Sequence, residues 1–236
     1  MRTARTIAAI IATLIVTAGT TAILLVLLTG LATGLLVSAA AVAAVVLAYR
    51  LVLRPWHSRW GTLDGEADAP LPGDDLLPHG AQTTRAIAID ARSEDVWPWL
   101  LQLGWGRGGW YSYDWIDNDR RPSAVTLHPD LQQLVVGDTI AMTPEMGFTV
   151  RRIEPGATIV SQAPDGTTWC LHLRDGTDGT CRLLSRFRAP RPVHGIDARI
   201  WALLADPGTF IMERRMLRGI RGRAGDRRRA VVRVTR

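Results

Sequence analysis

The sequence predicts an α+β chain: one curved antiparallel sheet with a long C-terminal helix across it, preceded by a two-helix transmembrane hairpin. Three observations carry this reading. The 43 residues from Ile7 to Tyr49 contain no charged side chain. From Gly137 onward, short alternating segments are separated by turn residues, the text of an antiparallel meander. After Asp206-Pro207 the apolar positions take up helical spacing.

As one helix, the uncharged run would measure about 65 Å, twice a ~30 Å hydrocarbon core. Two spans, roughly 6–28 and 34–53, use it up, with the break at Thr29-Gly-Leu-Ala-Thr-Gly34. A cleaved signal peptide begins similarly, but no polar gap follows the first apolar stretch. Gly30 and Gly34 match a helix-dimerisation spacing in letters, and their place at the break favours a turn. Arg2 and Arg5 precede the run, Arg50 and Arg54 follow it, and the turn carries no charge. The positive-inside rule then puts both ends in the cytoplasm, so the chain reads as a multi-pass cell-membrane protein with a cytoplasmic C-terminal domain.

Residues 1–54 form this hairpin, 55–82 a juxtamembrane anchor and acidic linker, 83–222 the folded domain and 223–236 a basic tail. Arg54-Pro-Trp-His-Ser-Arg-Trp60 has the rings and guanidiniums of an interfacial anchor. Gly61 to Gln82 holds five acids, three prolines and no arginine, and is expected to extend as a solvated tether. All 28 basic residues are arginine, and ten of them follow Glu213, so the net charge of +6 belongs to the tail. On a membrane-tethered protein such a tail meets an anionic lipid surface first, so nucleic acid is not the expected partner.

Within the domain, Thr84–Asp90 alternates as a strand, with Ile87 and Ile89 on one face. A helix follows, with Ser93 as its cap, Glu94 and Asp95 in its first turn and Pro98 early in its length; it ends at Gly104. Trp105 to Val136 is irregular, with short helices about 113–118 and 129–134. Strands are expected at Asp138–Met142, Phe148–Glu154, Thr158–Gln162, Thr167–Arg174 and Cys181–Arg188. If Trp169, Leu171 and Leu173 face the core, Cys181, Leu183, Ser185 and Phe187 should face it from the partner strand. Cys170 and Cys181 then lie on opposite faces and stay free thiols. A helix from Asp206 to about Arg221 should bury Phe210, Ile211, Met212, Met216, Leu217 and Ile220.

Several chemistries are excluded. Gly104-Trp-Gly-Arg-Gly-Gly109 fits the letters of a dinucleotide fingerprint, but a helix precedes it where a strand is required. The five histidines are scattered without metal-ligand spacing, and no P-loop or nucleophile elbow occurs. No cofactor and no metal are expected. An aromatic cluster remains: Trp97, Trp99, Trp105, Trp110, Tyr111, Tyr113 and Trp115. Trp97 suits a core. Trp110, Tyr111 and Tyr113, on a glycine-rich loop, suit a core or a cavity wall. Arg107 and Asp114 either pair with each other or anchor the polar end of a ligand.

Thr84–Asp90, the block Trp97-Pro-Trp-Leu-Leu-Gln-Leu-Gly104, Gly106-Arg-Gly-Gly-Trp-Tyr-Ser-Tyr-Asp114, Val136-Gly-Asp138 and Pro207–Ile220 together resemble the START-like superfamily. It is also called SRPBCC, polyketide cyclase/dehydrase-like or helix-grip, and the likeness is to its bacterial membrane-anchored members. The resemblance spans roughly 83–222. It implies a sheet gripping the C-terminal helix around a cavity for a lipid, isoprenoid or polyketide-like molecule, and supplies no universal catalytic residue. On that expectation Arg107, Tyr111, Tyr113 and Asp114 meet the polar end of the ligand, and Trp110, Trp169, Phe210 and Met212 line the apolar part. Binding without catalysis is the leading expectation. A cyclase or dehydratase using Tyr113 or Asp114 as acid or base, and a ligand-free envelope scaffold, are the alternatives.

Overall fold

The computed structural model describes residues 2–176, 178–190 and 196–234, with side chains placed for most of them. It divides into two compact units, Met1–Trp56 and His57–Arg236.

In the first unit, α1 (Arg2–Thr29) and α2 (Leu31–Ala48) meet at Gly30, whose φ of 81° is left-handed. Gly34 lies so close to α1 that an added Cβ would sit 2.5 Å from the Val26 Cα. The hydroxyls of Thr17, Thr20, Thr21 and Thr29 donate to carbonyls four residues back, which satisfies them without water. The helical stretch Leu31–Ser58 is long and apolar enough to cross a bilayer, and Val16–Thr29 is apolar but shorter. Helical backbone continues past α2 through Tyr49–Leu53 into α3 (Arg54–Ser58).

The second unit contains β1 (Ala81–Ile89), α4 (Ser93–Leu101), α5 (Asp114–Asp117), β2 (Thr139–Ala141), β3 (Gly147–Glu154), β4 (Thr158–Gln162), β5 (Thr168–Asp175), β6 (Cys181–Ala189) and α6 (Ile196–Val234). The strands form one antiparallel sheet in the order β1-β6-β5-β4-β3-β2. The expected register holds: Trp169 pairs with Phe187, Leu171 with Ser185 and Leu173 with Leu183. Cys181 joins the inner core and Cys170 the cluster on the other face, and both thiols are free.

The inner face packs against α4 and α6. Ile87, Ile89, Leu171 and Leu183 meet Val96, Leu100 and Leu103, together with Met216, Leu217 and Ile220. Trp169 stacks on Phe187 at 5.2 Å, with Trp110 and Phe148 at 5.9 and 5.7 Å. A buried ring pair of this kind adds about 0.5–1.5 kcal/mol beyond its area.

Four expectations need correction. The acidic segment is no free tether. Ala67 and Leu71 are buried, and Leu71 packs with Ala86, Val160, Cys170 and Leu184 on the outer face of the sheet. Its acids find arginines on the strands: Glu66 with Arg182, Asp74 with Arg186 and Arg188, Asp75 with Arg152. Composition suggested disorder because these partners lie some 80 to 120 residues away in sequence.

Trp60, expected in the membrane interface, packs instead against the domain core, with its ring beside Phe210. Helix α4 begins at Ser93 after Arg92, and the first-turn amide of Ser93 donates to Asp175 of β5, so a distant carboxylate supplies the cap. Finally, α6 starts at Ile196 and runs through Pro207, which removes one donor from the ladder without ending it. On this helix Ile211 is exposed and Glu213 is buried, the reverse of the apolar pattern.

Candidate functional site

The glycine-rich loop after α4 is held by close contacts at Gly108 and Gly109 that admit no side chain. Gly104 and Gly109 form an isolated antiparallel bridge, and the Gly108 amide donates to the Gln102 carbonyl at 2.7 Å. Both Gly109 and Tyr111 have positive φ, 81° and 55°. A Cβ on Gly109 would collide with the Ser123 hydroxyl. Tyr111 holds its strained backbone because its amide donates to Ser123 Oγ at 2.9 Å. Ser123 in turn gives its own amide and hydroxyl to Asp114, at 2.9 and 2.5 Å.

Tyr111 is buried, and its hydroxyl donates to the Trp99 carbonyl at 3.2 Å. Burial pushes the phenol up to about 12, against the pull of Gln102, Arg223 and Arg107. Helix α6 presses against this residue. A Cβ on Gly219 would strike the Tyr111 carbonyl oxygen, and the Arg223 guanidinium lies 4.5 Å from the centre of its ring. Arg223 also donates to the carbonyls of Ala124 and Gly219.

Between this loop and α6 opens a cleft of about 800 Å³. Trp99, Tyr111, Val125 and Leu127 supply apolar surface; Ser112, Asp114 and Ser123 are polar; Arg215, Arg218, Gly219, Gly222 and Arg223 form the α6 wall. Beside it, Asp117 is buried, which raises its carboxyl to about 6; Ser112 opposes the shift and Asp114 adds to it.

The expected site residues separate into distinct places. Tyr111 and Asp114 line the cleft. Tyr113 is half-buried, with the Arg215 guanidinium 5.9 Å from its ring centre. Trp110 and Trp169 lie in the aromatic core between sheet and α6. Met212 contributes its carbonyl to the Ser112 hydroxyl. Arg107 donates to the carbonyls of Leu101 and Leu131, both at 2.9 Å, and so pins the loop rather than pairing with Asp114.

Phe210 belongs to a second polar locus inside the domain. There Arg85 of β1 and Glu213 of α6 form a buried ion pair, 1% and 4% exposed. Arg85 also donates to the His57 carbonyl at 2.9 Å, while Phe210 stacks on the His57 ring at 5.1 Å. Burial raises the Glu213 carboxyl, with Arg85 and Ser185 opposing. Sequence reasoning passed over this pair although a signal existed: Arg85 shares the parity of Ile87 and Ile89, which makes it a charge on a core face. Among the described residues no group of three or more His, Cys, Asp or Glu side chains is placed to hold a metal.

The domain runs as a strand and helix, a returning antiparallel meander, and a terminal helix held against the inner face. This is the helix-grip arrangement expected from the sequence: one antiparallel sheet with a long C-terminal helix packed across its inner face. No family model matches the sequence, and no curated protein matches it. Solved structures similar to the chain include a polyketide-cyclase-like protein of Corynebacterium glutamicum at 17% identity, covering 67% of this chain and 95% of that one, TM-score 0.29. An AHSA1-like protein of Aeromonas hydrophila matches at 16% identity over 58% of this chain and 92% of its own, TM-score 0.31. CalU16 of Micromonospora echinospora matches at 16% identity over 61% and 83%, TM-score 0.31. Strand order and the position of α6, rather than these scores, carry the fold assignment.

Proposed function

We propose that this protein is a membrane-anchored binder of an amphiphilic molecule, a lipid or isoprenoid class of ligand, held in the cleft between α6 and the Tyr111 loop. One observation carries the reading: a cleft of about 800 Å³ combines an aromatic and aliphatic wall with hydroxyl and guanidinium groups at its rim. That size and mixture suit a small-molecule site. The space between sheet and helix, where the resemblance led us to expect the ligand, holds the Trp110, Phe148, Trp169 and Phe187 rings. Binding is favoured over catalysis because, of the two candidate acid–base residues, Asp114 is committed to the Ser123 amide and hydroxyl and Tyr113 does not line the cleft.

The Leu31–Ser58 helix supplies the anchor. Arginines at both outer ends of the apolar run support a cytoplasmic domain, and the basic tail would rest on anionic lipid. Cysteines placed at Thr33 and Asp64 should then label from opposite sides of the membrane; both labelling from outside would overturn the topology.

Gly222→Trp tests the cleft. An added Cβ at Gly222 meets nothing within 4 Å, so the fold tolerates the change while the indole fills the space. Native mass spectrometry of the full chain purified from its host membrane should show co-purified lipid on the wild type and loss of most of it on Gly222→Trp. Equal retention by both proteins would sink the reading.

A further inference from the structure

Resting on that reading, we propose that the ligand of the cleft ends in a phosphate-class anion held by the arginines of α6. The wall is a single helix face. Positions 215, 218, 219, 222 and 223 follow the i, i+3, i+4, i+7, i+8 spacing, and two of them are glycines that clear the floor between three arginines. Each guanidinium lies over an aromatic ring: Arg215 over Tyr113 at 5.9 Å, Arg218 over Trp60 at 5.7 Å, Arg223 over Tyr111 at 4.5 Å. A guanidinium drawn to a ring is partly ordered before a ligand arrives, which lowers the ordering cost of a ligand contact.

No carboxylate among the described residues neutralises these charges, although Arg223 spends two donors on the Ala124 and Gly219 carbonyls. Among the described residues, the ion pairs join other arginines to the acids of the 61–80 segment, to Glu94 and to Glu213, and none involves Arg215, Arg218 or Arg223. The one carboxylate in the cleft wall, Asp114, faces the Ser123 amide and hydroxyl. Ser112 donates its hydroxyl to the Met212 carbonyl. The cleft therefore offers mainly cationic donors at its rim and apolar surface within. Planar guanidinium forks match two oxygens of a phosphate at once, and a monoester dianion uses more than one arginine. A neutral or cationic headgroup would leave the arginines without a partner.

Calorimetry on the full chain in discs of neutral phosphatidylcholine, with empty discs as blank, tests this. The probes are decyl phosphate, decanol and inorganic phosphate. Decyl phosphate should bind at least about tenfold tighter than either other probe, and Arg218→Gln should lower its affinity about tenfold, as expected for one charge-assisted contact. Arg218→Lys should fall between, because it keeps charge and loses the fork. Equal affinities for decyl phosphate and decanol, both lost in Gly222→Trp, would overturn the headgroup assignment and leave the cleft reading standing. Inorganic phosphate binding as tightly as decyl phosphate would assign the site to free phosphate and overturn the amphiphile. Decyl phosphate binding unchanged in Gly222→Trp but lost in Arg218→Gln would move the anion to the outer helix surface, as would be expected for direct contact with a bilayer, and would overturn both readings.

Discussion

The two faces of the sheet are covered by different physics. The inner face is held by apolar surface: α4 and α6 bury aliphatic and aromatic side chains against β1, β5 and β6, with one buried ion pair, Arg85–Glu213, set among them. The outer face carries a small apolar cluster around Leu71, Val160, Cys170 and Leu184, ringed by arginines that take the acids of the 61–80 segment. Hydrophobic contact is proportional to area, whereas the solvent-facing ion pairs of the outer layer are weakened by salt screening. The inner layer should therefore unfold with the domain, and the outer segment should open on its own at lower cost.

The largest expected effect lies on the inner face. Glu213→Ala leaves Arg85 buried without a counter-charge and should cost about 3–5 kcal/mol in chemical denaturation of the full chain in maltoside micelles. Replacing both, Arg85→Met with Glu213→Leu, should recover most of that loss, because the apolar pair needs no desolvation of charge. A double variant as unstable as Glu213→Ala would mean that the ion pair itself, and not the avoidance of a lone charge, stabilises the inner face.

Gly219→Ala should cost about 1–3 kcal/mol by the same measurement, since its methyl must displace the Tyr111 backbone. Gly222→Ala, one turn on, should be neutral or slightly stabilising, as an exposed helix glycine gains from alanine. Similar losses at both positions would break the claim that α6 is seated on the Tyr111 loop at one point.

On the outer face, Glu66→Gln combined with Asp74→Asn removes the counter-charges of Arg182 and of the buried Arg186, which should cost about 1–3 kcal/mol each. Thiol labelling then separates the two faces. Burial raises Cys170 to about 12 and Cys181 to about 11, so each labels only on opening. Cys170 should label severalfold faster in the variant and in high salt, with Cys181 unchanged; parallel changes in both would mean that the segment is part of the same cooperative unit.

The smallest effect is a pH contrast. Burial raises Glu66, but hydrogen bonds from Arg182 and the Leu63 amide outweigh it and hold the carboxyl below its ordinary value. Its stabilisation is present above that ordinary value and is lost as pH falls through the lowered one. Asp117 has the opposite sign: raised to about 6, it favours the folded state below the ordinary carboxylate range and loses that contribution as pH rises through 6. Hydrogen exchange, corrected for intrinsic rate, should show residues 112–124 better protected at pH 5 than at pH 7, and residues 62–78 less protected only below about pH 4. Matching changes in the two segments would remove the distinction.

Much of this architecture follows from local pattern. Alternation places the strands within a few residues, and the parity of Trp169, Leu171 and Leu173 puts the two cysteines on opposite faces, as the structure has them. Turn chemistry after Gly137 set the meander. The candidate site was legible only in part. The glycine-rich loop marked the neighbourhood, and Tyr111 and Asp114 do line the cleft. Its other wall came from Arg215, Arg218 and Arg223, which sequence charge alone assigned to a solvated or lipid-facing tail. Trp110, on the glycine-rich loop, suits a cavity wall as well as a core, and Trp169, on the core face of its strand, is expected to line the ligand as well; both rings fill the core.

By itself the sequence determined what depends on neighbours along the chain: periodicity, turns, register parity and the uncharged N-terminal run. Only the tertiary structure decided the pairings of charges far apart in sequence. Glu66 with Arg182, Asp74 with Arg186 and Arg85 with Glu213 turn apparent tether, surface and tail into packed structure. The reason is physical: an isolated carboxylate or guanidinium prefers water, and burying it costs least when folding brings its counter-charge to meet it.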